Sequence, residues 1–341
     1  MIVFAWRGFP QYAARCVGAF AKSVDEQIIV IATRPNVPIE GMEEVCGCQV
    51  VWIEAADERS LVELCGEVPR ALVVNGWCVP AFNRFVNEAR RVKATIVVTI
   101  DNNYIPSFKE FLKKLRFKLF LRNRFDGFIV PGNSGKKLLR YYGVKDEVVS
   151  TGMYSADHSL FGNGMPLPER DKKIIYVGQF IERKNVMRMA NAFKRANDEM
   201  GQAWRLALYG SGVLRDRLIA VADESVEIHD FVQPESLAPL YRSARCFCLL
   251  SHEEHWGVVV HEAALSGCML LLSDKIGAAE DFVGDKNGVM VPPDNDDAII
   301  AAFKRIMSMD DRRLEEAQAE SLRLADMIGL DTFVSAVEKF I

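Results

Sequence analysis

The sequence predicts an α/β protein built from two doubly wound, mostly parallel sheets. Short apolar runs alternate with segments of helical period along most of the chain. The rhythm breaks at a Gly- and Pro-containing stretch, 151–171, and then restarts, so that stretch reads as an interdomain linker. The length of 341 residues suits about two domains of ~150 residues, each large enough to bury a core.

In the first half, strands are expected at 2–6, 27–33, 49–53, 71–75, 95–100 and 127–130. Helices are expected at 10–22, 58–66, 80–91, 107–122 and 133–142. In the second half, strands at 173–178, 204–209, 225–229, 245–250, 269–273 and 288–291 alternate with helices at 185–200, 212–222, 235–243, 256–266, 278–283 and 295–308. The tail from about 310 is helical, charged at first and then apolar. Ligands of such sheets bind at the carboxyl ends of the strands, so two such domains facing one another would leave a central cleft there.

Composition narrows the class. No apolar stretch approaches the 18 residues of a membrane-spanning helix. The start, Met1 to Gly8, lacks a basic flank and a cleavage site, and reads as a first buried strand rather than a secretory signal. A net charge of −4 gives no global footprint for nucleic acid. Eight cysteines in a chain of this length form no dense disulfide framework. Cys46/Cys48 and Cys246/Cys248 are C-x-C pairs rather than the C-x-x-C of redox and zinc sites. Cys246 and Cys248 lie in an apolar run and are expected as small buried hydrophobes. A reducing, cytoplasmic setting fits all eight.

Charge is unevenly spread. Residues 84–145 carry fifteen Lys or Arg against Glu88, Asp101, Glu110 and Asp126, a local balance of +11 that leaves −15 for the rest. Within it, Phe108, Phe111, Leu112, Leu115, Leu119 and Phe120 recur at helical spacing. Lys109, Lys113, Lys114, Arg116, Lys118 and Arg122 cover much of the remaining surface. Three readings stand: a helix lying on an anionic membrane or a lipid-linked partner through 108–124, an ordinary helix whose apolar stripe packs on the sheet, and, least favoured, a nucleic-acid contact.

The densest chemical signal runs from Ser251 to Ala263. Glu254 and Glu262 are separated by seven residues, the first in a strand-to-helix loop and the second about two turns along the helix. Free backbone N–H groups at the helix start near Gly257 make an anion site. Carboxylates on either side of a bound phosphate can grip hydroxyls, the layout of sugar–diphosphate–ribose. Two surface glutamates on an amphipathic helix are the plain alternative. His252, His255 and His261 mimic a metal site, but H-E-x-x-H needs histidines four apart on a helix, so no metal is expected. Asp294-Asn295-Asp296 resembles a D-x-D motif but reads as a helix N-cap.

Three further turns follow strands. Gly178 to Asn185 carries Arg183 and Lys184 into a helix, where cations can neutralise a diphosphate leaving group; a solvated pair is the alternative. Tyr209-Gly210-Ser211-Gly212 is a strand-to-helix Gly turn. Ile276-Gly277-Ala278-Ala279-Glu280 offers N–H groups and a carboxylate.

In order and spacing these elements resemble the retaining family-4 glycosyltransferases (group 1 type), whose GT-B fold has two Rossmann-like domains. The likeness covers about 150–300. Gly178…Lys184 looks like the family's phosphate loop and Tyr209–Gly212 like its Gly-x-Gly loop. His229-Asp230-Phe231-Val232 looks like the segment whose backbone meets the base. Glu254…Glu262 looks like the E-x7-E motif, and Gly277…Glu280 like the Gly-rich turn that comes after it. Gly152–Asp157 with Phe161 loosely matches the linker.

The resemblance implies an enzyme that moves a sugar from UDP- or GDP-sugar to an acceptor hydroxyl with retained configuration. The acceptor would be a glycan or a lipid-linked or cell-envelope polysaccharide intermediate of O-antigen or capsule type. It implies roles for Glu254, Lys184 and Arg183 in catalysis. Gly178, Gly210, Phe231, Val232, Trp256, Gly257, Val258, Glu262 and Glu280 would bind the donor. Arg7, Gly8, Asp101 and Asn102 would lie on the acceptor side. No metal and no cofactor are implied. Residues 1–153 with a returning tail, 318–341, would form the acceptor-side domain, and 154–317 the donor domain. The setting would be cytoplasmic, or peripheral on the inner face of the cytoplasmic membrane. Departures from the family pattern are Gln179 for Arg, Asn185 for Gly, a single Gly8 in the first loop, and Asp101-Asn102-Asn103 where a His is common.

The alternatives are another GT-B enzyme, such as a sugar-nucleotide epimerase or a soluble-acceptor synthase, and a non-catalytic nucleotide-binding protein. An unrelated Rossmann oxidoreductase is disfavoured because no G-x-G-x-x-G follows the first strand.

Overall fold

The computed structural model describes residues 1–35, 41–162, 164–201 and 203–341. The chain divides into two compact units, Met1–Ser155 with Ile328–Ile341, and Ala156–Met327.

The first unit is built on β1 (Ile2–Trp6), β2 (Ile28–Ala32), β3 (Gln49–Trp52), β4 (Ala71–Asn75), β5 (Thr95–Thr99), β6 (Gly127–Val130) and β7 (Val149–Thr151). All pair in parallel, in the order β3-β2-β1-β4-β5-β6-β7. The apolar runs Ile2–Ala5, Ile28–Ile31 and Leu72–Val74 are buried, as strands covered on both faces require. The second unit repeats the plan with β8 (Asp171–Val177), β9 (Arg205–Tyr209), β10 (Val226–His229), β11 (Ala244–Leu249), β12 (Met269–Ser273) and β13 (Gly288–Val291). Its order is β10-β9-β8-β11-β12-β13, again all parallel. This is the doubly wound α/β architecture expected.

Differences concentrate where elements are short. β7 was not foreseen, and only its last residue, Thr151, falls in the expected linker; its three residues pair with β6 and are too few to show a period. Within 151–171, the helix His158–Phe161 is capped by the Asp157 carboxylate, which accepts from Ser159 N at 3.0 Å; Asn163 lies outside the described residues. A short helix, Met42–Cys46, was not foreseen. The helix expected over 58–66 shortens to Leu61–Cys65, fixed by a Ser60–Glu63 capping box. The eight cysteines are all free thiols, with Cys246 and Cys248 buried.

The helix expected over 107–122 begins at Phe108, runs to Arg116 and widens into a π turn over Phe117–Leu121. Its apolar stripe does not pack on the sheet. Phe108, Phe111, Leu112, Leu115, Leu119 and Phe120 are all exposed. Among the described residues, no helix is long and apolar enough to cross a membrane.

The returning tail starts later than 318. Asp311–Ala325 is one continuous helix with Leu314, Ala317, Ser321 and Ala325 buried. Ser321 Oγ donates to Cys268 O (2.7 Å) and accepts from Asn287 Nδ2 (3.0 Å), which binds the helix to the second unit. Only after Met327 does the chain join the first unit. There Phe333 packs 6.3 Å from Phe4, and Lys339 Nζ donates to Val149 O at 3.0 Å.

Two buried side chains hold the second unit. Arg170 donates to Met165 O (2.8 Å), Ala244 O (3.0 Å) and Ser266 O (2.7 Å). Replacing it by Met removes charged hydrogen bonds to all three carbonyls; Met165 O keeps the Gln318 amide at 2.9 Å, and Ser266 O loses its buried donor, so Arg170→Met should lower stability by about 3 kcal/mol, read by chemical denaturation. An effect within error would show that the carbonyls find other donors.

His261 is also buried. Its Nδ1 accepts from Ala156 N at 3.1 Å, so Nε2 carries the hydrogen and donates to Ala325 O at 3.1 Å. Burial first, and the neighbouring His158 second, hold its pKa down to about 3 from the usual 6.5. The unfolded chain therefore binds an extra proton between these limits, and stability falls as pH drops through that window. The slope from this residue is about 1.4 kcal/mol per pH unit. His261→Leu should flatten the pH dependence of the unfolding midpoint between pH 6 and 4, whatever its own baseline stability; an unchanged slope would remove His261 as the cause.

Candidate active site

The winding of the second unit reverses between β8 and β11, so the turns that follow these two strands flank its topological switch point. Those turns carry Arg183, Lys184 and Glu254.

The first turn is shaped by glycine. Gly178, just after β8, has φ of +155° and donates its N–H to Tyr209 O at 3.0 Å. Gly210, just after β9, shares that φ, and a Cβ there would overlap the Gly178 carbonyl oxygen. Phe180 N donates to Ser211 O at 2.7 Å. The two turns thus lie backbone against backbone, an approach open only to glycine.

Beyond them the chain makes a 3-10 turn, Glu182–Lys184, and reaches Asn185 with φ of +57°. This left-handed conformation suits Gly, and Asn better than other residues, which accounts for the departure at this position. Asn185 Nδ2 donates to Pro293 O at 2.8 Å. Lys184 is thereby turned inward: it is buried, and its Nζ donates to Glu254 Oε2. The exposed Arg183 places NH1 3.2 Å from the same oxygen and also donates to Glu253 O. His252 N donates to Arg183 O at 2.9 Å, stitching the two turns together.

Glu254 is fixed by its own backbone. Its N–H donates to Lys275 O (3.1 Å) and its carbonyl accepts from Gly277 N (3.0 Å), so the Gly277 turn supports the carboxylate-bearing loop. Trp256 is buried 5.8 Å from the Phe282 ring, and its Nε1 has no hydrogen-bond partner among the described residues. Gly257, with φ of +89°, caps the helix Val258–Leu265. Val260 N donates back to Gly257 O at 2.9 Å, and the N–H groups of Val258 and Val259 lack partners within the helix.

Glu262 lies half-buried on this helix, with Tyr241 Oη 3.4 Å from its Oε2. Burial, and then the charge of Glu262, push the Tyr241 phenol well above its usual range, so it stays a donor. Glu280 is exposed on the helix Ala279–Phe282. Phe231 is exposed and Val232 half-buried, beyond β10, where the His229 ring stacks on Tyr209 at 4.5 Å.

In the first unit, Arg7 is exposed directly after β1. Gly8, with φ of +59°, donates to Thr33 Oγ1 at 2.8 Å. Asp101 and Asn102 follow β5 and are half-buried, with Asp101 accepting from Tyr154 Oη at 3.3 Å. These four stand at the carboxyl edge of their own sheet.

The three histidines do not converge. His252 faces Asp294 (3.4 Å), His255 faces Glu253 (3.4 Å), and His261 is the buried clamp described above. Among the described residues no three metal-ligating side chains are grouped. Asn295 is an N-cap, accepting from Ala298 N at 3.0 Å, while Asp294 and Asp296 pair with Arg188. Sequence reasoning missed Tyr241 and the backbone of Lys275. Tyr241 had a signal: it lies at helical spacing from Leu237 on a buried face, where a phenol needs a polar partner. The Lys275 contact, made by backbone alone, left none.

Residues 163–321 match the family model described as glycosyl transferases group 1. A curated relative, an uncharacterized glycosyltransferase of Methanocaldococcus jannaschii, is 27% identical over 43% of this chain and 39% of its own length. A second, from Campylobacter jejuni, is N-acetylgalactosamine-N,N'-diacetylbacillosaminyl-diphospho-undecaprenol 4-alpha-N-acetylgalactosaminyltransferase. It is 28% identical over 42% of this chain and 40% of its own length. The chain thus spans about two fifths of the length of these two relatives. Among solved structures, a glycosyltransferase from Rickettsia africae aligns over 99% of this chain and 97% of its own, with TM-score 0.76 and 12% identity. Anabaena HepE, in complex with UDP and glucose, aligns over 99% and 98%, with TM-score 0.75 and 15% identity. These likenesses establish the fold: the chain has the two-domain α/β architecture of GT-B glycosyltransferases.

Proposed function

We propose that the protein is a retaining glycosyltransferase of family 4, moving a sugar from a nucleoside diphosphate, UDP or GDP, to an acceptor hydroxyl. The observation that carries this reading is the Lys184–Glu254 pair at the switch point, one turn from the helix that begins at Gly257. Cations, a carboxylate and free helix N–H groups are what a sugar diphosphate needs in one place. The match of 163–321 to the group 1 model supports it, as does the UDP bound by HepE.

Each residue takes a role consistent with its setting. The helix start at Gly257 and Val258, with Arg183 and Lys184, takes the diphosphate. Glu254 takes the transferred sugar, and Glu262, oriented by Tyr241, takes the ribose hydroxyls. Gly178 and Gly210 leave room for the phosphates, and the 231–232 segment meets the base. Trp256 and Glu280 line the sugar pocket. Arg7, Gly8, Asp101 and Asn102 belong to the acceptor side. The bond from the anomeric carbon to the diphosphate breaks, and a bond to the acceptor oxygen forms on the same face. The leaving phosphate oxygen takes the acceptor proton. Lys184 and Arg183 stabilise the charge that grows on the leaving group; no resident metal or cofactor enters this scheme.

The acceptor we propose is a lipid-linked intermediate of a cell-envelope polysaccharide. The Campylobacter relatives named for diphospho-undecaprenol and PP-undecaprenol substrates support this. The setting would be cytoplasmic, with the acceptor presented at the membrane.

A thermal-shift panel of UDP, GDP, ADP and dTDP tests the donor class. A diphosphate at ~100 times its dissociation constant should stabilise the protein by about 2.7 kcal/mol, and the Glu262→Ala protein should lose most of that shift. No shift with any of the four would overturn the donor assignment. With the donor so identified, Glu254→Ala and Lys184→Ala should each lower kcat by about 10²-fold or more. Unchanged turnover in both variants would sink the catalytic assignment.

A further inference from the structure

The segment Phe108–Arg124 is turned inside out relative to an ordinary surface helix. At ~100° per residue, Phe108, Phe111, Leu112, Leu115 and Leu119 fall within one arc of about 100°. That arc faces solvent: Phe108 is 75% exposed, Leu119 64% and the adjacent Phe120 69%. Contact with the core is made from the opposite side, by Glu110, Phe117 and Leu121. Glu110 accepts from Tyr142 Oη and from Lys113 Nζ (3.0 Å). The Phe117 ring lies 5.0 Å from Tyr142 and 5.7 Å from Trp77.

The core face of the helix is therefore settled by a buried carboxylate and two apolar anchors. A contiguous apolar surface of this kind on a folded protein marks an interaction site. Its charge decides the occupant. Lys109, Lys113, Arg116, Lys118 and Arg122 are exposed beside the stripe. The one acid between 107 and 124, Glu110, is buried. A second copy docking on the same stripe would bring cations against cations. A lipid surface with anionic headgroups satisfies both halves at once, taking the apolar side chains into the acyl boundary and the cations at phosphate level.

We propose that Phe108–Arg124 docks the protein on an anionic membrane surface. The inference stands apart from the transferase reading, because docking is read on vesicles without donor or acceptor.

The test is flotation of the full chain with phosphatidylcholine vesicles containing about one-third phosphatidylglycerol, and with pure phosphatidylcholine. The protein should float with the anionic vesicles, less so at high salt, and far less with the neutral ones. Lys109→Gln should lower the partition coefficient about fivefold. Leu115→Glu with Leu119→Glu should lower it by ~10-fold or more. Both leucines are exposed, so the double variant should fold; an unchanged thermal midpoint checks this. Absence of flotation at low salt overturns the proposal, as does equal flotation of the folded double variant. If sedimentation velocity shows instead that the double variant dissolves an oligomer, while the parent protein ignores vesicles, the stripe is a self-association face and the proposal falls.

Discussion

The candidate site depends on one close approach, the backbone of Gly210 against the carbonyl of Gly178. Parallel pairing of β8 with β9 ends both strands at the same edge, but pairing alone would let the turns after them splay apart. The missing Cβ at 210 lets them close, and the Phe180–Ser211 hydrogen bond seals them. That fixes where the chain leaves β8. It also fixes where Arg183 and Lys184 emerge, at the far end of the same turn. A side chain at 210 would displace the cationic turn without touching a single charged atom.

From that anchor the site is assembled through backbone more than through side chains. The Lys184 ammonium is buried, and a charge out of water must be paired; Glu254 supplies the partner. Glu254 can do so because its own peptide groups are held between Lys275 and Gly277. Left-handed residues punctuate this path at Asn185 and Gly257. Each marks a place where the chain must turn sharply: at Asn185 to leave the cations beside β8, and at Gly257 to aim the helix start after β11. At Asn185, a residue other than glycine, ordinary backbone preference is set aside next to the two cations.

Much of the fold was legible in the sequence because buried parallel strands leave little choice of residue. Ile2–Trp6, Ala71–Asn75 and Met269–Ser273 read as strands with the observed ends, since covering both faces demands continuous apolar runs. The spacing of Glu254 and Glu262 around a helix start was equally readable. The features that escaped had weak local signal or were decided by distant partners. Three residues of β7 cannot display a period. The stripe of 108–120 displays one clearly, but periodicity says only that two faces differ, not which face turns inward. That choice was made by Glu110 with Tyr142 and by Phe117 among aromatic rings far along the chain. The extent of the tail was likewise set by a distant bond, from Ser321 to Cys268 O, which no pattern within 311–341 encodes.

The second unit's polar interior links the tail to the site. The helix that starts at Gly257 and carries Glu262 is gripped on its far side by His261. That imidazole joins Ala156 at the start of the unit to Ala325 at the end of the Asp311–Ala325 helix. Apolar packing alone would allow the short helix Val258–Leu265 to slide or rotate over its neighbours. A neutral imidazole with one acceptor and one donor nitrogen, each matched to a single backbone group, admits one position. The placement of the helix N-terminus, where we propose that the diphosphate binds, thus depends on bonds made by a buried residue further along the helix. Protonating His261 would set an N–H of Ala156 against a ring N–H. The same event that weakens the fold at low pH would then loosen the helix that begins at Gly257.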